Sequence, residues 1–147
     1  MKGGFKMKKF ICGMVLALFI GMGNLLPSIS EAMYYQPSAY WCDNYNYPEV
    51  YYKGDVHYYV DLSSAFIKDQ VKNSAEQRSV VCYNMVIVNP SGASTQTRYV
   101  LIVTAEDGYD MYNWSDSDGK WILNTGEFGY QMASFNAGSI LMKHFGL

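Results

Sequence analysis

Histidine and cysteine, the residues that most often assemble nucleophilic or metal-binding sites, are scarce: the 147 residues hold two histidines and three cysteines. His57 and His144 stand at no metal-ligand spacing, no serine stands in a nucleophile elbow, and no glycine-rich loop is placed to cradle phosphate. The acidic turn Asp116-Ser117-Asp118-Gly119 fails as a calcium loop. An EF-hand needs an oxygen ligand two residues earlier and a glutamate at its twelfth position, where this chain has Trp114 and Thr125. Asp107, Asp110 and Asp116 therefore read as solvated turn carboxylates. No enzyme, cofactor or metal site is expected, because no acid-base or nucleophilic set assembles. An enzymatic reading would need His57 in a deep pocket beside Asp55 or Asp61. His57 reads instead as a strand-surface residue, and His144 as a favourable charge near a helix C-terminus.

Long apolar runs are equally sparse, with a single one from Phe10 to Leu26. Lys2, Lys6, Lys8 and Lys9 precede it, Pro27 breaks it, and Ser30-Glu31-Ala32 puts small residues at the minus-three and minus-one positions of a cleavage site before Met33. This predicts a secretory signal peptide over residues 1–32 and one exported domain over 33–147, secreted or periplasmic. A retained anchor is the alternative, which Gly13, Gly21, Gly23 and Asn24 weaken by interrupting the run. Cys12 sits at the front of the run and is expected to leave with it. Cleavage takes four of the 11 Lys/Arg and one of the 13 Asp/Glu, leaving 7 against 12 and a net charge of −5. Nucleic acid and anionic membrane surfaces both require basic patches, so neither is an expected partner.

Cys42 and Cys82 remain in a chain bound for an oxidising compartment, and a disulfide between them is expected. Closing that loop would stabilise by roughly 4 kcal/mol in the chain-entropy account. Two free thiols or an intermolecular bridge are the alternatives.

Aromatic residues are abundant: residues 33–61 carry nine of the 14 tyrosines together with Trp41. Tyrosine buries a large ring while keeping a hydroxyl for water or a partner, so such a stretch suits a half-buried sheet face or an interaction surface. Residues 49–53 and 56–60 around Gly54-Asp55 read as a tight hairpin. Asp61-Leu62-Ser63-Ser64 reads as its end, since Asp and Ser side chains compete with the ladder for backbone amides. Residues 65–71 read as a short strand or a helical turn, and 72–78 as an exposed loop.

The centre of the chain, 79–105, is two long β-type runs, SVVCYNMVIV and TQTRYVLIVTA, flanking a turn segment at residues 89–94. Alternation puts Tyr83, Met85 and Ile87 on one face and Cys82, Asn84, Val86 and Val88 on the other. In the second run Tyr99, Leu101 and Val103 oppose Arg98, Val100 and Ile102. Turns at Glu106-Asp107-Gly108 and at residues 115–119 then mark a meander with strands around 111–114 and 120–124. From Tyr130 to Phe145 the period changes to three and four, through Met132, Phe135, Ser139, Met142 and Phe145, which predicts a helix. Ala133, Ala137 and Gly138 would let it lie close to a sheet, and Gly146 is placed to end it. The fold class is therefore α+β: a curved antiparallel sheet of about five to seven strands backed by one C-terminal helix, expected over Tyr83, Met85, Ile87, Tyr99 and Leu101.

At Val56-His-Tyr-Tyr-Val-Asp-Leu-Ser-Ser64, followed by the long hairpin, a Trp-containing strand and a closing helix, the chain resembles the surface-adhesin E type of small exported bacterial domain. That resemblance implies a curved sheet backed by a helix, self-association, with a homodimer among the expected assemblies, and binding of extracellular or host proteins. It carries over no functional residue, and the tyrosine-rich segment departs from the family pattern. The expected function is contact with a protein partner through Tyr40, Trp41, Tyr45, Tyr47, Tyr51 and Tyr59 as anchors. A carbohydrate-binding module is the alternative, since the same rings can stack on sugars.

Overall fold

Connections of two residues decide the architecture. Gly54-Asp55, Pro90-Ser91 and Glu106-Asp107 each join strands whose flanking residues pair directly, and a two-residue connection can only return the chain antiparallel beside itself. Gly54, at φ 59°, takes the first central position of its turn, where a side chain would be strained. The computed structural model describes residues 34–147, and the segment read as a signal peptide, Cys12 included, lies outside the described residues. Within them, strands β1 (Glu49–Lys53), β2 (Val56–Lys72), β3 (Glu76–Asn89), β4 (Gly92–Ala105), β5 (Gly108–Ser115) and β6 (Lys120–Leu123) form one curled antiparallel sheet in chain order. Helix α1 (Gly129–Phe145) packs across one face.

Residue pairing identifies that face. Asn89 pairs with Gly92, so every odd-numbered residue of β3 meets an even-numbered residue of β4: Ser79 with Ile102, Val81 with Val100, Tyr83 with Arg98. Ile102 in turn meets Met111 on β5. Val81, Tyr83, Met85, Val100, Ile102 and Met111 are all buried, together with Ala133, Ala137 and Leu141 of the helix. The expectation that Tyr99 and Leu101 share the covered face is corrected: they lie on the opposite side, with Cys82 and Val80. Reading residues 89–94 as one broad turn concealed the two-residue connection that sets the parity. The helical stripe is corrected at Met132, which is exposed, and at Ser134, which is buried, whereas Gly138 meets Met111 and Val100 of the sheet as expected.

The strand read as ending at Asp61 continues to Lys72. Pairing with β3 breaks between Asp61 and Phe66 and resumes beyond. Asp61 Oδ1 accepts the Ser63 amide at 3.1 Å, while Ser64 Oγ donates to the Asp61 carbonyl at 2.7 Å and accepts the Asn84 amide at 2.9 Å. The side chains do compete with the ladder, and they produce a bulge because the Ser64 hydroxyl bridges the two strands. Ser64→Ala leaves the Asn84 N–H without that acceptor. We expect a loss of about 1–2 kcal/mol, read as a fall in the urea midpoint at unchanged slope. Residues 73–75 are likewise a tight turn in place of a loop, with Asn73 Oδ1 accepting the amides of Ala75 and Glu76.

Hydrogen bonds tie the helix both to the sheet and to the segment that precedes it. The Asn136 amide donates to the Val50 carbonyl at 2.8 Å, and the Tyr35 amide donates to Ser139 Oγ at 2.7 Å. Buried Asn124 fixes the entry by donating to the Gln131 carbonyl and accepting the Gly126 amide. Gly146, at φ 65°, ends the helix with its amide on the Lys143 carbonyl.

Candidate interaction surface

The tyrosine-rich segment is built on the β1–β2 hairpin. Its register places Glu49 opposite Tyr59, and Tyr52 opposite His57, on the face away from the helix. A short 3-10 turn at Trp41–Asp43 then folds over Tyr59: the Trp41 ring stacks on Tyr59 at 6.2 Å and meets Tyr47 edge-on at 5.3 Å. Tyr52 stacks on His57 at 5.9 Å and His57 on Tyr59 at 6.2 Å. Tyr52, His57, Tyr59 and Trp41 thus form one continuous aromatic stack, closed edge-on by Tyr47. Tyr40 and Tyr45 add an edge-to-face pair at 4.9 Å beside it.

A carboxylate anchors the stack from beneath. Glu49 is 6% exposed and its Oε2 lies 2.7 Å from His57 Nδ1. Burial, and then the Glu49 charge and hydrogen bond, raise the Tyr59 phenol above its ordinary value. Burial and the same charge raise Tyr35. Both rings therefore stay neutral hydrogen-bond donors well beyond physiological pH.

The structure brings five of the six expected anchor residues together and separates the sixth. Tyr59, 8% exposed, is a core support, whereas Tyr45 is 78% exposed and Tyr52, missed as a candidate, is 62% exposed. Trp41, Tyr40 and Tyr47 are half-buried. Tyr51 packs on Tyr58, which alternates with Tyr59 and so lies on the other face of the sheet. Between the segment and the helix end lies a groove of about 360 Å³, lined by Tyr35, Tyr40, Tyr45, Leu62, Lys143 and His144 among others. His57 is paired with Glu49, not with Asp55 or Asp61. Among the described residues no three His, Cys, Asp or Glu side chains are placed to share a metal ion.

Cys42 and Cys82 are both free, and the expected disulfide is corrected. The segment does lie over the Cys82 face, but too far along it. Trp41 rests on Tyr59, whose partner Val86 is four residues from Cys82. Four residues span roughly 13 Å of strand, against a Cα separation of at most about 7 Å that a disulfide tolerates. Cys42 points to solvent at φ 54°, and Cys82 is buried.

A second aromatic group escaped notice in the sequence. Ser115 pairs with Lys120, which sets Trp114 opposite Trp121 with rings 5.4 Å apart. Tyr99 lies on the same outer face, with Lys68 Nζ 4.8 Å from its centroid. The signal available was the turn at residues 115–119, from which the Trp114–Trp121 pairing follows. Searches of known protein families, curated proteins and solved structures found no match to this chain.

Proposed function

We propose that this is an exported module that works by contact with a protein partner, its anchors being the tyrosines of the N-terminal segment. The observation that carries this reading is the stack beneath them. Tyr45 and Tyr52 present large exposed rings, and Tyr52 is the outer member of a stack fixed by the buried Glu49–His57 pair. Rings already held in place lose little conformational freedom on binding, which is why tyrosine and tryptophan dominate binding hot spots.

The test is binding of the purified domain to an array of extracellular proteins, beside a Tyr45→Ser/Tyr52→Ser variant. Loss of two such anchors is expected to weaken a captured partner by at least about 30-fold, a hot-spot-sized effect. Thermal unfolding should move by no more than about 3 °C, because exposed rings contribute little to the core. Undiminished binding by the variant defeats the proposal, and selective binding to a parallel glycan array would transfer it to carbohydrate.

A further inference from the structure

Strand β4 has two halves with different neighbours. Its Val100–Ala105 half pairs with β5, whereas residues 92–99 have β3 on one side and no strand on the other among the described residues. Backbone groups along a strand point alternately to the two sides. Gly92 closes the two-residue turn with Asn89, so its N–H and C=O face β3, and Ala105 closes the next turn with Gly108, so its groups face β5. Alternation between those fixed points turns the amides and carbonyls of Ala93, Thr95 and Thr97 out to the open side. Three donors and three acceptors are thus set in line at strand spacing.

A comparison within the same sheet shows what is unusual here. Beyond Leu62, β2 also has an open side, but that stretch follows the bulge at Ser63 and Ser64, contains a second irregularity near Lys68, and carries Lys68, Asp69 and Lys72. Bulges and charges are how sheets prevent another strand from adding. Residues 92–97 of β4, Gly-Ala-Ser-Thr-Gln-Thr, have neither. They are exposed, uncharged and in unbroken register with β3.

The open edge ends at a cleft of about 520 Å³ where β5 leaves β4. Trp114 and Tyr99 form part of its wall, and Trp114 is 39% exposed. Arg98 is held at the cleft by donating to Ser134 Oγ at 3.0 Å and to Gln96 Oε1 at 2.9 Å.

We infer that the 92–99 edge of β4 is a strand-addition site for a short, uncharged, extended segment of a partner polypeptide, with a bulky apolar side chain of that segment seated against Trp114 and Tyr99. Main-chain pairing with Ala93, Thr95 and Thr97 supplies affinity that any extended peptide can satisfy, and the cleft supplies the selectivity. β5 blocks the edge beyond Tyr99, so the added strand is limited to about five to seven residues. This surface is separate from the tyrosine stack, and the inference stands or falls independently of it.

The experiment is selection of a random heptapeptide display library on the full domain, followed by affinity measurement on the enriched synthetic peptides. Thr95→Pro deletes one outward N–H and no bond to β3, and is expected to weaken binding at least tenfold. Thr95→Val keeps the N–H and should bind as wild type, while the Tyr45→Ser/Tyr52→Ser variant should bind equally well. N-methylation scanning of the peptide gives the same answer without altering the protein: alternate positions should abolish binding and the intervening ones should not. Failure to enrich any peptide, equal binding by Thr95→Pro, or the absence of a period of two in the scan overturns the inference. Sedimentation showing that Thr95→Pro dissolves a dimer would also overturn it, by making a second copy the occupant.

Discussion

Gly138→Leu should lower the stability of this domain by about 3 kcal/mol, near the top of the range for overpacked cores, or roughly 10 °C in Tm for a chain of this size. A Cβ built on Gly138 would lie 2.5 Å from Met111 Sδ and 3.5 Å from Val100 Cγ2. Helix and sheet touch at that point, so a leucine could enter only by separating them. Gly138→Ala should behave differently. Its single methyl group meets the flexible arm of Met111, which can swing aside, and alanine gains up to about 1 kcal/mol of helix preference over glycine. The expected net effect is near zero. Met111→Ala in the leucine background provides room, so the double variant should be less unstable than the two separate losses imply. Chemical denaturation of the wild type and the four variants, Met111→Ala alone included, checks the series. A leucine variant as stable as wild type would mean that the helix does not sit on Met111.

Raising the pH above 10 should destabilise the protein through Tyr83. This phenol is fully buried, and burial pushes its pKa up to about 12, against smaller opposing contributions from the Arg98 charge and the Ser134 hydrogen bond. Below pH 10 the phenol is protonated whether the chain is folded or not, and its contribution to stability is complete. Above pH 10 the unfolded phenol ionises while the folded one keeps its proton, so each pH unit removes about 1.4 kcal/mol until the folded group also ionises near 12. About 3 kcal/mol is lost across that interval. Tyr83→Phe forfeits the Ser134 bond, about 1 kcal/mol, but should remove this part of the alkaline slope. Urea midpoints measured from pH 9 to 12 on both proteins provide the comparison, and parallel curves would show that Tyr83 is not the group responsible.

Both effects act on the inner face of the sheet, and the sequence disclosed that face only in part. The hairpin at Gly54, the two long central strands and the C-terminal helix were legible because each is encoded locally, by a turn dipeptide, by alternation or by three-and-four spacing. The pairing of one strand with the next was not. Whether Tyr83 stands beside Tyr99 or Arg98 depends on whether the intervening turn has an odd or an even number of residues, and Asn89-Pro90-Ser91-Gly92-Ala93-Ser94 is rich in turn formers throughout. The same limit explains the cysteines. Their residue types and compartment favoured a bond, but four residues of offset along β3 exceed what a disulfide spans. Asp61 and the serines after it were read for the correct chemistry and the wrong outcome, because the acceptor for the Asn84 amide lies on a strand twenty residues away in sequence. Of the candidate surface, composition located the segment, but the division into a supporting ring such as Tyr59 and outward rings such as Tyr45 and Tyr52 depends on the 3-10 turn that lays Trp41 over Tyr59, a long-range contact that no local pattern encodes.

A sheet whose six strands pair strictly in chain order has low contact order, since every strand finds its neighbour already present when it is made. Growth of the nascent chain and growth of the sheet can therefore proceed in the same direction. The inner face is the exception, because Val100 and Met111 meet Gly138 of a helix that is made only after all six strands. During synthesis the sheet is complete before its core is sealed, and for that interval an apolar surface stands open to chance association. Ribosomes that stop short of Gly129 would release a paired sheet with that face uncovered, which makes the helix the element on which escape from chance association depends.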